Sequence, residues 1–293
     1  MERIIVTGAT GFIGSNFVKA AKNNYEVHVI VRPGSDISCI DNNEHQIQFH
    51  SINGDIVEII DLFRKVRPDI VVHIASKFCS QHSSGDIEGL VNSNILLGTQ
   101  VLEAMSKSAC HKIINIGTSW QHYDNADYNP VNLYAATKEA FKDIIRYYEE
   151  THKIIALNLE LFDTYGPNDN RKKLLSLLKG LINGGDSLEM SPGEQKINLL
   201  FITDVVDGIL VALNNIKTMQ FSGTYVLRAR EQVTLKDLVA LSEQITGHKL
   251  TVKWGMKEYR NREVMDPYCK GIDLPNWMPQ MSLLKGLKLF YES

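Results

Sequence analysis

Over its first half the chain alternates two periodicities, and that alternation leaves few folds open. Short runs rich in Val and Ile occur as "RIIVTG", "EVHVIV", "IQFHSI", "DIVVHIAS", "KIINIGTS" and "KIIALNLELF". Between most of them, apolar residues recur at helical spacing, over 14–22, 55–66, 91–108 and 133–151. The central runs are almost wholly apolar, as strands are when both faces of a parallel sheet are covered. Strand-helix alternation of this kind predicts a doubly wound α/β sheet of the Rossmann type. The second half is less regular. The spacing predicts a helix over 172–183 and a strand over 198–202 that leads into a helix capped by Thr203 or Asp204. It also predicts a strand at "GTYVLR", a helix at "TLKDLVALSEQIT" capped by Thr234, and a tail of loop and short helix from Trp254. The expected division is a dinucleotide-binding unit over 1–165 and a smaller α/β substrate unit over 166–293, changing over near "TYGPND". The stretch near 197–215 is expected to return to the first unit.

The first βα turn carries chemistry. "IIVTGATGFIGSNF" sets Gly8, Gly11 and Gly14 between a strand and a helix. Gly8 permits the tight turn, Gly11 lets backbone amides approach a pyrophosphate, and Gly14 lets helix and strand pack closely. The helix N-terminus then offers free N–H groups to the phosphates. At the end of the second strand an acid would bind the ribose 2′-OH of NAD, whereas Arg32 suits the 2′-phosphate of NADP(H). Further on, "NLYAATKEAF" places Tyr134 one helical turn before Lys138. Alone that pair is also what a helix surface would show.

Composition narrows the class. The 293 residues are 44% hydrophobic and 22% charged, which suits a packed core. A net charge of −3 makes no case for nucleic acid or a membrane surface as partner. "MERIIVTGAT" does not read as a signal peptide, and a cytoplasmic protein is expected. The four cysteines are scattered without zinc spacing, so reduced thiols and no metal are expected.

In chain order, "TGATGFIG", "GDI" (54–56), "VVHIAS" (71–76), "NILLGT" (94–99), the Tyr134/Lys138 pair and "TYGP" (164–167) resemble the extended short-chain dehydrogenases/reductases. The resemblance covers essentially the whole chain. It implies that Tyr134 is the acid/base and that Lys138 lies beside it under the nicotinamide ribose. A free phenol titrates near ~10, so a neighbouring ammonium and the charged nicotinamide are expected to lower Tyr134. The resemblance makes Thr118 the hydroxyl that holds the substrate oxygen, with neighbouring Ser119 as the other candidate. It implies a cofactor site from Gly8, Thr10, Gly11, Phe12, Ile13 and Gly14, with Arg32, Asp55 and Ile56 beyond the next two strands. Ala75, Ser76, Lys77, Asn94, Leu161 and Phe162 complete it. Lys77 either touches a ligand or is solvated, and Asn94 either positions the site or is plain polarity. Substrate contacts are expected from Ser119, Arg171, Lys196, Asn198 and Arg262, with Arg260 competing for the diphosphate role.

Departures from the family pattern sharpen the reading. Sugar-nucleotide dehydratases follow the catalytic Thr with Asp-Glu. Ser119 and Trp120 stand here instead, and neither is a carboxyl acid/base. "GTSWQHY", "NPVNLYAATKEAF" and "LELFDTYGPNDNRKKLL" look like the branch of CDP-abequose and CDP-paratose synthases, which reduce CDP-4-keto-3,6-dideoxyhexoses in O-antigen synthesis. The expected function is NADPH-dependent reduction at C4 of a nucleotide sugar, most simply a CDP sugar. The alternative is an epimerase that retains NAD. The resemblance also implies a homodimer built on the helices over 91–108 and 133–151.

Overall fold

The computed structural model describes residues 1–40 and 46–293. Six strands in the first half are β1 (Glu2–Thr7), β2 (Tyr25–Val31), β3 (Ile47–Ser51), β4 (Ile70–His73), β5 (Lys112–Thr118) and β6 (Ile155–Leu161). Helices α1 (Phe12–Ala21), α2 (Ile56–Val66), α3 (Ile87–Val91), α4 (Leu97–Ser106) and α5 (Leu133–His152) connect them. Short strands β7 (Asp163–Tyr165), β8 (Leu188–Glu189), β9 (Lys196–Ile197) and β10 (Leu199–Phe201) follow, with helix α6 (Leu174–Ile182). Next come α7 (Ile202–Thr218), β11 (Gly223–Leu227), β12 (Val233–Thr234), α8 (Leu235–Thr246), β13 (Val252–Lys253) and α9 (Leu283–Tyr291).

Seven strands form one sheet in the order β11-β6-β5-β4-β1-β2-β3, every pair parallel. The order reverses between β1 and β4, the switch point where α/β sheets bind ligands. Alternate residues explain the apolar runs. Ile4, Val6, Val27, Val29, Val72, Ile114 and Leu157 pack in one core with Phe17 of α1 and Val205 and Ile209 of α7. Ile5, Val71, Ile113 and Ala156 face the other way, onto Phe63 of α2, Leu102 of α4 and Phe141 of α5. After α6 the chain returns to the sheet, where α7 packs beside α1 and β11 joins the edge at β6.

The helical span expected over 91–108 is interrupted by a π-helical turn at residues 92–96 that places Asn94 inside. The expected cap of α7 also differs. Phe201 occupies the cap position, and no side chain bonds there. Asp204 is buried and turns to the tail instead, accepting from the backbone N–H groups of Gln280 (3.1 Å) and Met281 (3.0 Å). Trp277 packs in the core and donates its indole N–H to the Asp204 carbonyl at 3.1 Å. Thr234 caps α8 as expected. Among the described residues no helix is long and apolar enough to cross a membrane.

Asp204 therefore clasps the C-terminal segment to α7. Hydrogen bonds to a charged group are worth about 1.5–3 kcal/mol each, so losing both in Asp204→Ala should cost roughly 3–6 kcal/mol. A urea midpoint within error of wild type would refute the clasp.

Candidate active site

The C-terminal ends of β1, β4, β5 and β6 open into one cleft of about 1280 Å³, larger than a drug-sized pocket and roomy enough for a dinucleotide beside a reactant. The glycine loop forms its floor. Gly8 has φ +76°, and a Cβ there would sit 2.5 Å from the Ala75 nitrogen on β4's exit loop. A Cβ on Gly14 would come within 2.1 Å of the Gly8 carbonyl oxygen. Gly11 is the N-cap of α1 and bears no side-chain cap bond, so the helix N-terminus faces the cleft open.

Helix α5 delivers the reactive pair. Asn132 caps it, accepting from Ala135 N–H at 2.9 Å and donating to Ser80 and Cys79 carbonyls at 2.9 and 3.2 Å. That bond set fixes the first turn, and with it Tyr134 and Lys138, against the loop after β4. Both line the cleft with Thr118 and Ser119 from the end of β5. Phe78 meets the Tyr134 ring edge-on at 5.0 Å and Trp120 at 5.8 Å.

Burial drives the Tyr134 phenol up to about 12; the hydroxyls of Ser76 and Thr118 pull the other way and lose. The lowering expected from a neighbouring ammonium does not prevail among the chain's own groups, because desolvation outweighs the hydroxyls that oppose it. Burial also lowers the Lys138 ammonium to about 8. Lys138 is 2% exposed, and its Nζ has no hydrogen-bond partner. A buried, unpartnered cation beside a glycine cradle fits a nicotinamide dinucleotide: the ribose hydroxyls would supply the missing acceptors.

Most of the expected cofactor residues meet in this cleft. Thr10, Phe12 and Ile13 line it with the three glycines, as do Ala75, Ser76, Lys77, Leu161 and Phe162. Arg32 is exposed at the rim, and among the described residues no ion pair engages it. Three expectations shift. Asp55 spends its carboxylate capping α2, accepting from Val57 N–H at 2.8 Å, and Asn53 and Gly54 line the cleft in place of Asp55 and Ile56. Asn94 is fully buried behind the wall. It accepts from Ser76 Oγ and Lys77 N–H at 3.1 and 2.7 Å, and donates to the Lys77 carbonyl and Thr137 Oγ1 at 3.0 and 2.9 Å. Lys77 Nζ is paired with Asp86 at 2.9 Å.

The expected substrate residues divide. Ser119 and Arg171 reach the cleft. Arg171 is gripped by Asp169 through two 2.7 Å bonds and lies 4.3 Å over the Phe12 ring. Lys196 and Asn198 line an adjoining cavity of about 290 Å³, shared with Phe78, Ser119, Trp120 and Lys173. Within it Lys196 pairs with Asp266 at 2.8 Å, and Asn198 ties down Ala229 at 2.8 Å in both directions. Arg262 lines neither cavity. Its guanidinium stacks 4.3 Å over Tyr123 and donates to Asn129. The competing Arg260 is the one at the smaller cavity, 5.5 Å over Trp120 and held by Glu263. Phe78 and Trp120 were not foreseen as lining residues, and of the two only Trp120 carried a signal, as the residue in place of a dehydratase acid. Lys173, one of three cations in "RKK" (171–173) that hint at a diphosphate, does line both cavities.

Residues 4–227 match the family described as the NAD dependent epimerase/dehydratase family. The CDP-abequose synthase of Yersinia pseudotuberculosis is 28% identical over 272 residues, spanning 92% of each chain. That of Salmonella typhimurium is 25% identical over 296 residues, 98% of this chain and 96% of that one. The UDP-glucuronic acid 4-epimerase of Bacillus cereus, solved with UDP-glucuronic acid and NAD, superposes with a TM-score of 0.85 at 24% identity, covering 99% and 98% of the chains.

The Lys138 environment has a measurable consequence. Below pH 8 the side chain is an ammonium that can donate to ribose hydroxyls; above it the free amine is a weaker donor. Nicotinamide-cofactor affinity should therefore fall as pH rises through about 8, and Lys138→Met should lower affinity and flatten that dependence. Titration across roughly pH 6.5–9.5 checks it; a wild-type profile no steeper than that of Lys138→Met would count against the ribose contact.

Proposed function

This chain belongs to the NAD dependent epimerase/dehydratase family, and we propose that it is an NADPH-dependent reductase of the C4 ketone of a nucleotide-linked deoxysugar. The CDP-4-keto-3,6-dideoxyhexose is the substrate we assign, since CDP-abequose synthases are similar over nearly the full chain. The observation that carries the reading is the convergence of Thr118, Tyr134 and the unpartnered Lys138 on one glycine-floored cleft.

When bound, the reduced nicotinamide supplies a hydride to the carbonyl carbon. Thr118 Oγ1 already accepts from Trp120 N–H at 3.3 Å, which leaves its hydrogen for the substrate oxygen. Tyr134 gives that oxygen a proton as negative charge develops on it. A phenol held near 12 keeps its proton at neutral pH, which suits an acid better than a base. Lys138 holds the ribose and supports the phenolate left behind. Ser119 and Trp120 bring no carboxyl to this place, so water elimination is not the chemistry assigned.

A second reading, a 4-epimerase that retains NAD, draws support from the solved neighbours named as such. It requires Tyr134 to act first as a base. Purified protein carrying bound NAD would favour the epimerase; free exchange with NADPH favours the reductase. We also assign a homodimer built on the helical span over 91–108, from the end of α3 through α4, and on α5. Val101, Leu102, Phe141 and Ile145 are buried against this chain's own core, so the partner face falls to their exposed neighbours, Val91 and Tyr147 among them.

Incubation with NADPH and the CDP-4-keto-3,6-dideoxy sugar, with product analysis, tests the assignment directly. Tyr134→Phe should bind NADPH normally and lose ~10²–10⁴-fold in turnover; near-normal turnover would remove Tyr134 from its role. Arg32→Ala should weaken NADPH binding about ten- to a hundredfold and leave NADH binding nearly unchanged. Equal losses for both cofactors would end the NADP assignment.

A further inference from the structure

Behind Thr118 lies a buried polar chain that no substrate or cofactor contact accounts for. "TSWQ" (118–121) is a capping box: it closes the 3₁₀ turn Ser119–Gln121, whose last side chain folds back onto the residue before it. Gln121 Oε1 accepts from the Thr118 backbone N–H at 2.9 Å, and Gln121 Nε2 donates to Glu139 on α5. Only that orientation of the amide satisfies both partners. Glu139 faces Lys142 at 3.6 Å, Lys142 reaches Glu160 at 3.2 Å, and Glu160 accepts from His122 at 2.8 Å. Gln121 is 2% exposed and Glu139 7%, so these bonds are not exchanged with water. Room for the amide depends on the neighbour. A Cβ at Gly117 would stand 2.9 Å from Gln121 Oε1 and 3.2 Å from the Glu160 side chain.

We propose that Gln121, oriented by Glu139, is the positioning residue that sets the Thr118 hydroxyl in the active site. The claim rests on the reductase reading for Thr118's role, though not for the geometry. Thr118 is the last residue of β5, in register with Leu161 of β6 on one side and beyond the end of β4 on the other. The Gln121 amide is what ties its N–H, while Thr118 Oγ1 is turned toward Trp120 N–H by the same box. Glu139 lies on α5 one residue after Lys138, so the strand that carries Thr118 and the helix that carries Tyr134 and Lys138 are joined by one amide. A misplacement of a positioning hydroxyl by about 1 Å is worth ~10²-fold in rate.

Gln121→Leu should lower kcat about 10- to 100-fold and leave the NADPH Kd within about twofold. Hydrogen exchange at the Thr118 amide should quicken about tenfold, a readout independent of turnover. The reciprocal exchange is the decisive arm. In Gln121→Glu/Glu139→Gln a carboxylate at 121 still accepts from Thr118 N–H and from an amide at 139, with total charge unchanged. It should recover kcat and exchange protection to within about threefold of wild type, whereas Gln121→Glu alone, which opposes two carboxylates, should not. Should Gln121→Leu fail to fold, Gly117→Ala pushes on the same amide and should reproduce both effects. A Gln121→Leu enzyme within about twofold of wild-type kcat, unchanged exchange at Thr118, or a double variant no better than Gln121→Glu would overturn the proposal. A wild-type protein inert toward the ketone would instead overturn the reductase reading, and the exchange measurements would still judge Gln121.

Discussion

A parallel sheet covered on both faces admits polar chemistry at one place only, the C-terminal ends of its strands. This molecule makes the transition within two residues. On the face under α5, Ile5, Val71, Ile113 and Ala156 form an apolar layer. Two residues on, Thr7, His73, Asn115 and Asn158 stand in register across four strands and bond in pairs, Thr7 with His73 and Asn115 with Asn158, each at 2.9 Å. Burial drives the His73 imidazole down to about 3, so it remains neutral within this layer. Above it come the glycine loop, Thr118 and the lysine of α5. The cleft is where packing stops, and the reactive groups are fixed by elements rooted in the two cores below.

The cost of such a site is desolvation, and the protein meets it unevenly. The side chains of Asn94 and Asp204 find their partners within the chain, Asp204 on backbone amides and Asn94 on backbone and hydroxyl groups, so they act as rivets. Lys138 is left without a partner and titrates well below its ordinary range. A buried charge that the chain does not satisfy is one a ligand can satisfy, and this contrast separates structural polarity from binding polarity here.

The architecture was legible because periodicity reports burial, and the sheet is buried on both sides. The glycine spacing and the Tyr134/Lys138 pair were legible because each residue type answers a local geometric demand. What the sequence concealed depends on where side chains end rather than where they start. Asp55 and Gly54 are neighbours, yet one caps a helix and the other lines the cleft. Arg260 and Arg262 are two apart, and only the first faces a cavity. Asp204 looked like a cap because acids favour that position, but the tail's free amides compete for it and prevail. The phenol of Tyr134 was expected to be lowered by charge, and burial proved the larger effect. "TSWQ" did carry a readable signature, since Ser/Thr-x-x-Glu/Gln is the pattern of a capping box.

Strand β11 has a bearing on how the chain reaches this state. It docks on β6 with Gly223 opposite Leu157, after the excursion that builds β7 through α7. During synthesis β6 is therefore an open edge, with a row of unpaired amides, until residues beyond 227 have emerged. Its inward face carries Leu157, Leu159 and Leu161, so for that interval the nascent chain presents a sticky, strand-shaped template. Non-local parallel pairing of this kind is slow to form. The step that exposes this protein to self-association is thus the wait for its last sheet strand, and yield on overexpression should be governed by events at the β6 edge more than by the stability of the finished fold.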